Sequence, residues 1–405
     1  MGLGVKADLL RRPAFWLALS AFFLPIKPAP VNLFLLVAVV LVLGQEAYRK
    51  AIASCLFSPV GYSILALVAW LMASTLLPDS SWQSANLYLV KYLRLMLIPV
   101  LATAVQQDSD RWKILDAFAL GVLVSVLASY AVAVGLLPWP ADATSPVYFK
   151  LHITHNFFIA LAAPYVVWRL FERWSCWSAP VRFLALSGLT ISLYNFLFMV
   201  EGRSGWLAIA CIPAVVALRK LGLKKGGVVA LALALGALAI VAFSPFVHER
   251  VATALHEVQQ WHDGLSVAQD TSMGRRLIFW SYSIRAIEHA PLFGHGLGGF
   301  ELAITPYAMA DHFFIFNNPH NQYLLFTVQG GLLALFLYFT VLWALLCRSE
   351  GPAPLVLTCL VASYALLNLL NSFHFDFAEG LLFIIATAAL AFRANASSEK
   401  AHERP

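Results

Sequence analysis

The stretch "FNNPHNQYLLFTVQGGLLALFLYFTVLWALL", residues 316–346, decides the fold. A polar turn ending in Pro319 and His320 runs into an apolar segment, 321–346, that exceeds the ~20 residues a helix needs to cross a bilayer. Helices satisfy their own backbone groups in hydrocarbon, so such a segment crosses as a helix. The same pattern recurs along the chain. Of 405 residues, 60% are hydrophobic and 12% charged, whereas roughly a quarter are charged in soluble proteins. The reading is an all-α polytopic membrane protein with about twelve transmembrane helices, near 13–26, 30–44, 59–77, 87–106, 114–137, 151–170, 182–200, 205–218, 228–244, 321–346, 354–372 and 376–392.

Orientation follows from the bias of Lys and Arg toward cytoplasmic segments. Most of the 27 basic residues fall on the N-terminal side of the membrane, including Arg11, Arg12, Arg49, Lys50, Arg219, Lys220, Lys224 and Lys225. Both termini are therefore expected in the cytoplasm, and the net charge of +6 reports topology rather than nucleic-acid binding. "RRPAFWLALSAFFL" reads as a signal anchor, because no small-residue cleavage site follows it. None of the five cysteines falls in an outer segment, so no disulfide is implied.

The organisation expected is spans one to nine in 1–244, a large outer loop in 245–320, spans ten to twelve in 321–392 and a cytoplasmic tail in 393–405. A loop of that length is usually functional. Two helices are predicted in it. In the first, Val247, Val251, Ala254, Leu255, Val258 and Trp261 share a face. The second runs from Thr271 or Ser272 to His289, with Ser272 as N-cap and Pro291 as the stop.

Ionisable groups at membrane depth are costly, so the few near the outer face are candidates for function. "EGRSG" turns tightly between two spans and holds Glu201 and Arg203 at the surface, with glycines that let backbone approach a ligand. The alternative is an Arg203 that pairs with Glu201 or snorkels. "SMGRRLIFW" places Arg275 and Arg276 in the first turns of a loop helix. Adjacent helical residues diverge, so Arg276, four residues before Trp280, is assigned the inward role and Arg275 faces solvent or lipid. A planar, permanently charged guanidinium suits a diphosphate. Lys91 and Arg94 share a face near the outer end of the fourth span and extend the same basic surface.

His320 sits beside the N-terminus of the tenth span, because Pro319 favours a helix's first turn. The positive end of the helix disfavours imidazolium, leaving the neutral ring a general base requires. Asn318 and Asn321 can cap the helix or orient that ring. A lone histidine in such a place is ordinarily a cap or an interfacial residue. What favours chemistry is the company of outward arginines and a structured loop.

Three further patterns are set aside. "GHGLGG" fits a dinucleotide fingerprint in letters, but no strand precedes it. "DSD", Asp108 to Asp110, falls on the cytoplasmic side and reads as a helix cap. His152 and His155 in "HITHN" lack a third ligand for zinc, so His152 is kept as an auxiliary polar residue and no metal is expected.

Taken together, "EGRSG", "RLIFW" followed by "PLFGHGLGGF", and "HNQYLLF" closing a large loop resemble, in order and spacing, the O-antigen ligase and polymerase superfamily. The twelve-span plan leans to the ligases. The resemblance implies a GT-C-like glycosyltransferase in the bacterial inner membrane whose site faces the periplasm. Such an enzyme moves glycan from undecaprenyl diphosphate to a lipid A-core sugar without metal, nucleotide or other cofactor. It further implies Arg203 and Arg276 as the diphosphate-binding arginines and His320 as the catalytic histidine. Lys91, Arg94, Asn321, Glu201 and His152 are auxiliary candidates. Polymerases and protein O-oligosaccharyltransferases of the superfamily share the donor and differ in acceptor. A non-enzymatic carrier of lipid-linked glycan is a reading of another class, although carriers place substrate charges near the midplane.

Overall fold

The computed structural model describes residues 8–141, 144–243, 245–263, 271–347 and 352–392. Its elements are helices throughout. The first seven are α1 (Pro13–Phe23), α2 (Pro28–Gly44), α3 (Glu46–Leu56), α4 (Pro59–Ala73), α5 (Trp82–Leu93), α6 (Leu97–Ala102) and α7 (Asp108–Ala133). Then come α8 (His152–Arg173), α9 (Ala179–Tyr194), α10 (Arg203–Phe243), α11 (Pro245–Asp263), α12 (Ser272–His289), α13 (Phe300–Ala310), α14 (Gln322–Leu346), α15 (Pro352–Leu367) and α16 (Phe377–Leu390).

The protein is an all-α polytopic membrane protein. Among the described residues, six helical segments are long and apolar enough to cross a bilayer, and the α2–α3 pair, bent by 99°, makes a seventh if it counts as one span. Twelve spans were expected, and the difference lies in how the apolar runs are broken. The two runs expected either side of Gly222 are two helices that meet at a kink within α10, where that residue takes φ 74°. The fourth span begins earlier than expected, at Trp82, and passes through a 3-10 turn at Arg94–Met96. The last apolar run forms the short helix α16, in which every residue from Ala378 to Leu390 is buried. A helix apolar all round belongs inside a bundle, and α16 is the core post against which α6, α7 and α15 pack.

Close crossings are made by residues without a side chain to get in the way. At Gly121 of α7 an added Cβ would collide with the Phe22 carbonyl, which is why α1 can lie directly on α7. The second device is a break in α14. Gly331 takes φ 68°, and the backbone groups this frees are taken up by the loop segment 291–295. Leu332 N–H donates to Pro291 O (2.8 Å), His295 N–H to Val328 O (2.8 Å), and Trp70 Nε1–H of α4 to Gly330 O (2.8 Å). Irregular backbone at membrane depth is tolerated where protein re-satisfies it in this way. The "GHGLGG" run therefore has a structural task, with Gly294, Gly296 and Gly298 all at positive φ.

In the large loop the two predicted helices form, and α11 packs on α12. Its facing surface differs, however. Val251 and Leu255 are exposed, whereas Glu257 is buried and its carboxylate accepts Met273 N–H at 2.9 Å. Ser272 is not the cap of α12; Thr271 is, its Oγ1 accepting Gly274 N–H at 3.0 Å. A third loop helix, α13, was not expected. It buries Phe300, Ile304 and Ala308, spaced at four residues, against α12, and carries Pro306 inside it.

Candidate functional site at the loop end of the bundle

The polar turn before α14, residues 316–320, is held by four separate anchors. Asn318 Oδ1 accepts the His320 N–H (3.0 Å), and His320 itself adopts φ 51°. Asn321 is the N-cap of α14: its Oδ1 accepts Leu324 N–H (3.1 Å) while its Nδ2 donates to Leu369 O (3.0 Å). Trp280 Nε1–H of α12 donates to Pro319 O (3.0 Å). Finally, the His320 ring lies nearly parallel to Phe279, with centroids 6.0 Å apart, and Phe279 stacks in turn on Phe316 at 4.0 Å. A left-handed backbone costs a non-glycine residue roughly 1–2 kcal/mol, and these anchors offset it.

They bring His320 to a cavity of about 990 Å³ between the start of α12 and the turn. Arg276, Arg275, Glu301, Asn371 and Ile153 line it with the histidine. Arg276 Nη1 donates to Ser272 Oγ (3.3 Å). The expected division between the arginines needs correction: Arg275 is largely exposed, yet it also lines the cavity, because both side chains are long and leave the same first turn of α12. Burial pushes the His320 pKa below the ordinary imidazole value. The nearby Arg276 charge pushes the same way, and Asn371 opposes both. The ring is therefore neutral at neutral pH, although the main cause is burial and not the helix end invoked from sequence.

The start of α8 reaches the same place. Ile153 lines the cavity, and His152, the first residue of that helix, lies near enough to feel the charges of both Glu201 and Arg276. Glu201 is exposed, with its N–H donating to Ser145 Oγ (3.0 Å). The glycines of "EGRSG" are not left open for a ligand, as the sequence suggested. A Cβ on Gly202 would collide with Asn156, and one on Gly205 would stand 2.7 Å from Phe196. The turn is thus packed down on α8, where buried Asn156 donates to Val200 O (3.2 Å). A π-helical turn at Asn195–Met199 leads into it. Arg203 is the first residue of α10, and its side chain lies outside the described residues.

Lys91 and Arg94 do not line this cavity. They turn to the segment before α16: Lys91 Nζ sits 3.3 Å from the centre of the Phe375 ring, and the Arg94 guanidinium 5.2 Å from that of Phe377. Asp376 and the buried Glu379, which accepts from Thr154 Oγ1, belong to the same neighbourhood. Tyr88 on α5 links the two regions by donating to Asn317 O (2.8 Å) in the cavity wall.

Residues 187–339 match the family model described as O-antigen ligase, a stretch that holds the "EGRSG" turn, Arg276 and His320. That match supports membership of the O-antigen ligase/polymerase family. Comparison with curated proteins gives no match. Members of that family are glycosyltransferase-like enzymes, and the family implies a context of lipid-linked glycan and membrane lipid. Sequence reading missed the cavity's Glu301 and Asn371. The spacing of Phe300, Ile304 and Ala308 would have revealed the helix that carries Glu301; Asn371 reaches the site only through the pairing of Gln322 N–H with Asn368 O and Asn371 O, which no local pattern announces.

Proposed function

We propose that this protein is an O-antigen ligase, a metal-independent inverting glycosyltransferase that moves glycan from undecaprenyl diphosphate to the lipid A-core oligosaccharide. In this reading the site faces the periplasm from the bacterial inner membrane and both termini are cytoplasmic. The observation that carries it is the pairing of a guanidinium with a neutral imidazole in one cavity walled by an ordered loop.

The chemistry follows from what such a donor needs. Its diphosphate is already a good leaving group, and the bond from the anomeric carbon to the diphosphate oxygen breaks as negative charge gathers on that oxygen. Fixed guanidiniums stabilise that charge by several kcal/mol in a water-poor site. Arg276 supplies one, and Arg203, at the start of α10, is assigned as the second. The acceptor hydroxyl attacks from the opposite face and gives its proton to His320, a contribution of typically ~10²–10⁴-fold. A single displacement inverts the anomeric centre.

Purified protein, lipid-linked glycan and lipid A-core test the proposal directly. Transfer with inverted configuration, unaffected by chelator and lost in His320→Asn, is expected. Asn is the informative replacement because it tolerates the left-handed backbone that His320 adopts. Retained configuration or normal transfer by folded His320→Asn would overturn the assignment, and elongation of the lipid-linked glycan in place of core capping would identify a polymerase.

A further inference from the structure

A second cavity, of about 740 Å³, lies among α7, α8, α9, α10, α15 and α16, with α8 the helix that its lining shares with the first. Its lining runs along α8 from Leu161 to Phe171, the half remote from the loop, through Leu189 and Leu193 of α9, and along α10 from Ile209 to Leu221. It is apolar except at one end, where Lys220 joins the wall two residues before the Gly222 turn. Phe171 and Leu221 are exposed, so the cavity opens sideways between helices.

The charges around that rim are unequal. Arg169 takes both nearby carboxylates, Asp116 at 2.7 Å and Glu172 at 3.1 Å. Arg219 is committed to Thr358 Oγ1 and Leu346 O, each at 2.8 Å. Lys220 has no ion-pair partner among the described residues, and exposed Lys224 and Lys225 follow just past the turn. A closed apolar core does not leave a void of this size, and volumes of ~300–1,000 Å³ are those of ligand sites. The occupant must therefore be apolar along its length, reach the cavity from the bilayer and end in negative charge at the membrane surface.

We infer that this cavity is a binding site for an anionic glycerophospholipid of the leaflet opposite the loop, with an acyl chain among the apolar linings and its phosphate at Lys220. A Lys beside an anionic headgroup contributes on the order of 1 kcal/mol, about a fivefold change in affinity. The site is separate from the His320 cavity and takes no part in glycosyl transfer.

The test is thermal unfolding of the detergent-purified full chain titrated with phosphatidylglycerol, phosphatidylcholine or undecaprenyl phosphate. Phosphatidylglycerol should raise the melting temperature at lower concentration than phosphatidylcholine. Lys220→Ala, at an exposed position where folding is not at risk, should weaken that response about fivefold and leave the phosphatidylcholine response unchanged. Ala386→Phe, which fills the cavity, should remove both responses. Equal responses to the two phospholipids, or a phosphatidylglycerol response indifferent to Lys220→Ala, would overturn the proposal. So would a stronger response to undecaprenyl phosphate, which would make this a polyprenyl site.

Discussion

The two cavities share one helix, α8, whose first turn lines one and whose later turns line the other, and they are built by different rules. The apolar one is walled by helices alone, and its shape needs only side-chain volume. The cavity at the loop end is walled by α12, the turn 314–320 and the first turn of α8, and the turn that carries its histidine is held by hydrogen bonds of the Trp280, Asn318 and Asn321 side chains. Apolar space tolerates adjustment, whereas a base and a charge clamp work only within a fraction of an ångström of the productive geometry. The contrast predicts that small polar changes at the loop end will cost far more activity than their size suggests.

The largest effect is expected from His320→Asn, a loss of transfer of about 10²–10⁴-fold with donor binding retained, read from single-turnover transfer and from retention of lipid-linked glycan. Arg276→Gln should follow, at about 10²–10³-fold in kcat, the usual weight of one donor to a developing anion. Arg276→Lys should recover only part of it, because an ammonium keeps the charge and loses the fork. If Arg276→Lys behaves as wild type, the guanidinium is a counter-charge and not a clamp.

The pH dependence sharpens the same contrast. A base must be unprotonated, and burial together with Arg276 keeps His320 below its ordinary value of 6.5. Activity should therefore persist as pH falls through 6.5 and decline only at lower pH, where the folded protein protonates the ring. Removing the Arg276 charge should move that acid limb upward. An acid limb that stays in place in Arg276→Gln would separate the two groups electrostatically.

How much of this could be read in the sequence differs between the ends. Long apolar runs such as 321–346 announced a helical membrane protein, because hydropathy and length are local properties. His320 and Arg276 were legible because a Pro-His turn before a span and an Arg in a helix's first turn are local patterns too. The span count was not, since where an apolar run is kinked, as at Gly222, is set by the angles of single residues. The role of "EGRSG" was misread for a related reason: a glycine beside a ligand and a glycine beside Asn156 look alike in letters.

Glycines therefore provide a comparison of moderate size. Gly205→Ala puts a methyl 2.7 Å from Phe196 and 3.1 Å from the Asn156 backbone oxygen, so a loss of about 1–3 kcal/mol is expected from overpacking. At Gly227, where nothing lies within 4 Å, the same change should stabilise the helix by about 0.5–1 kcal/mol. Melting temperatures of the two variants should move in opposite directions. If both fall, the "EGRSG" turn is no tighter than the surface of α10.

The smallest change probes orientation alone. Trp280→Phe keeps the aromatic volume and deletes one bond, Nε1–H to Pro319 O. A neutral hydrogen bond contributes about 0.5–1.5 kcal/mol net, so stability should drop by that amount and no more. The bond, however, ties α12, which carries Arg276, to the residue before His320. If the two groups act on one sugar diphosphate, loosening this tie should lower kcat by more than the stability loss implies while KM changes little. A kcat that follows stability alone would mean that Asn318, Asn321 and Phe279 fix the imidazole without help from Trp280, and that the loop helix serves the site only through its arginines.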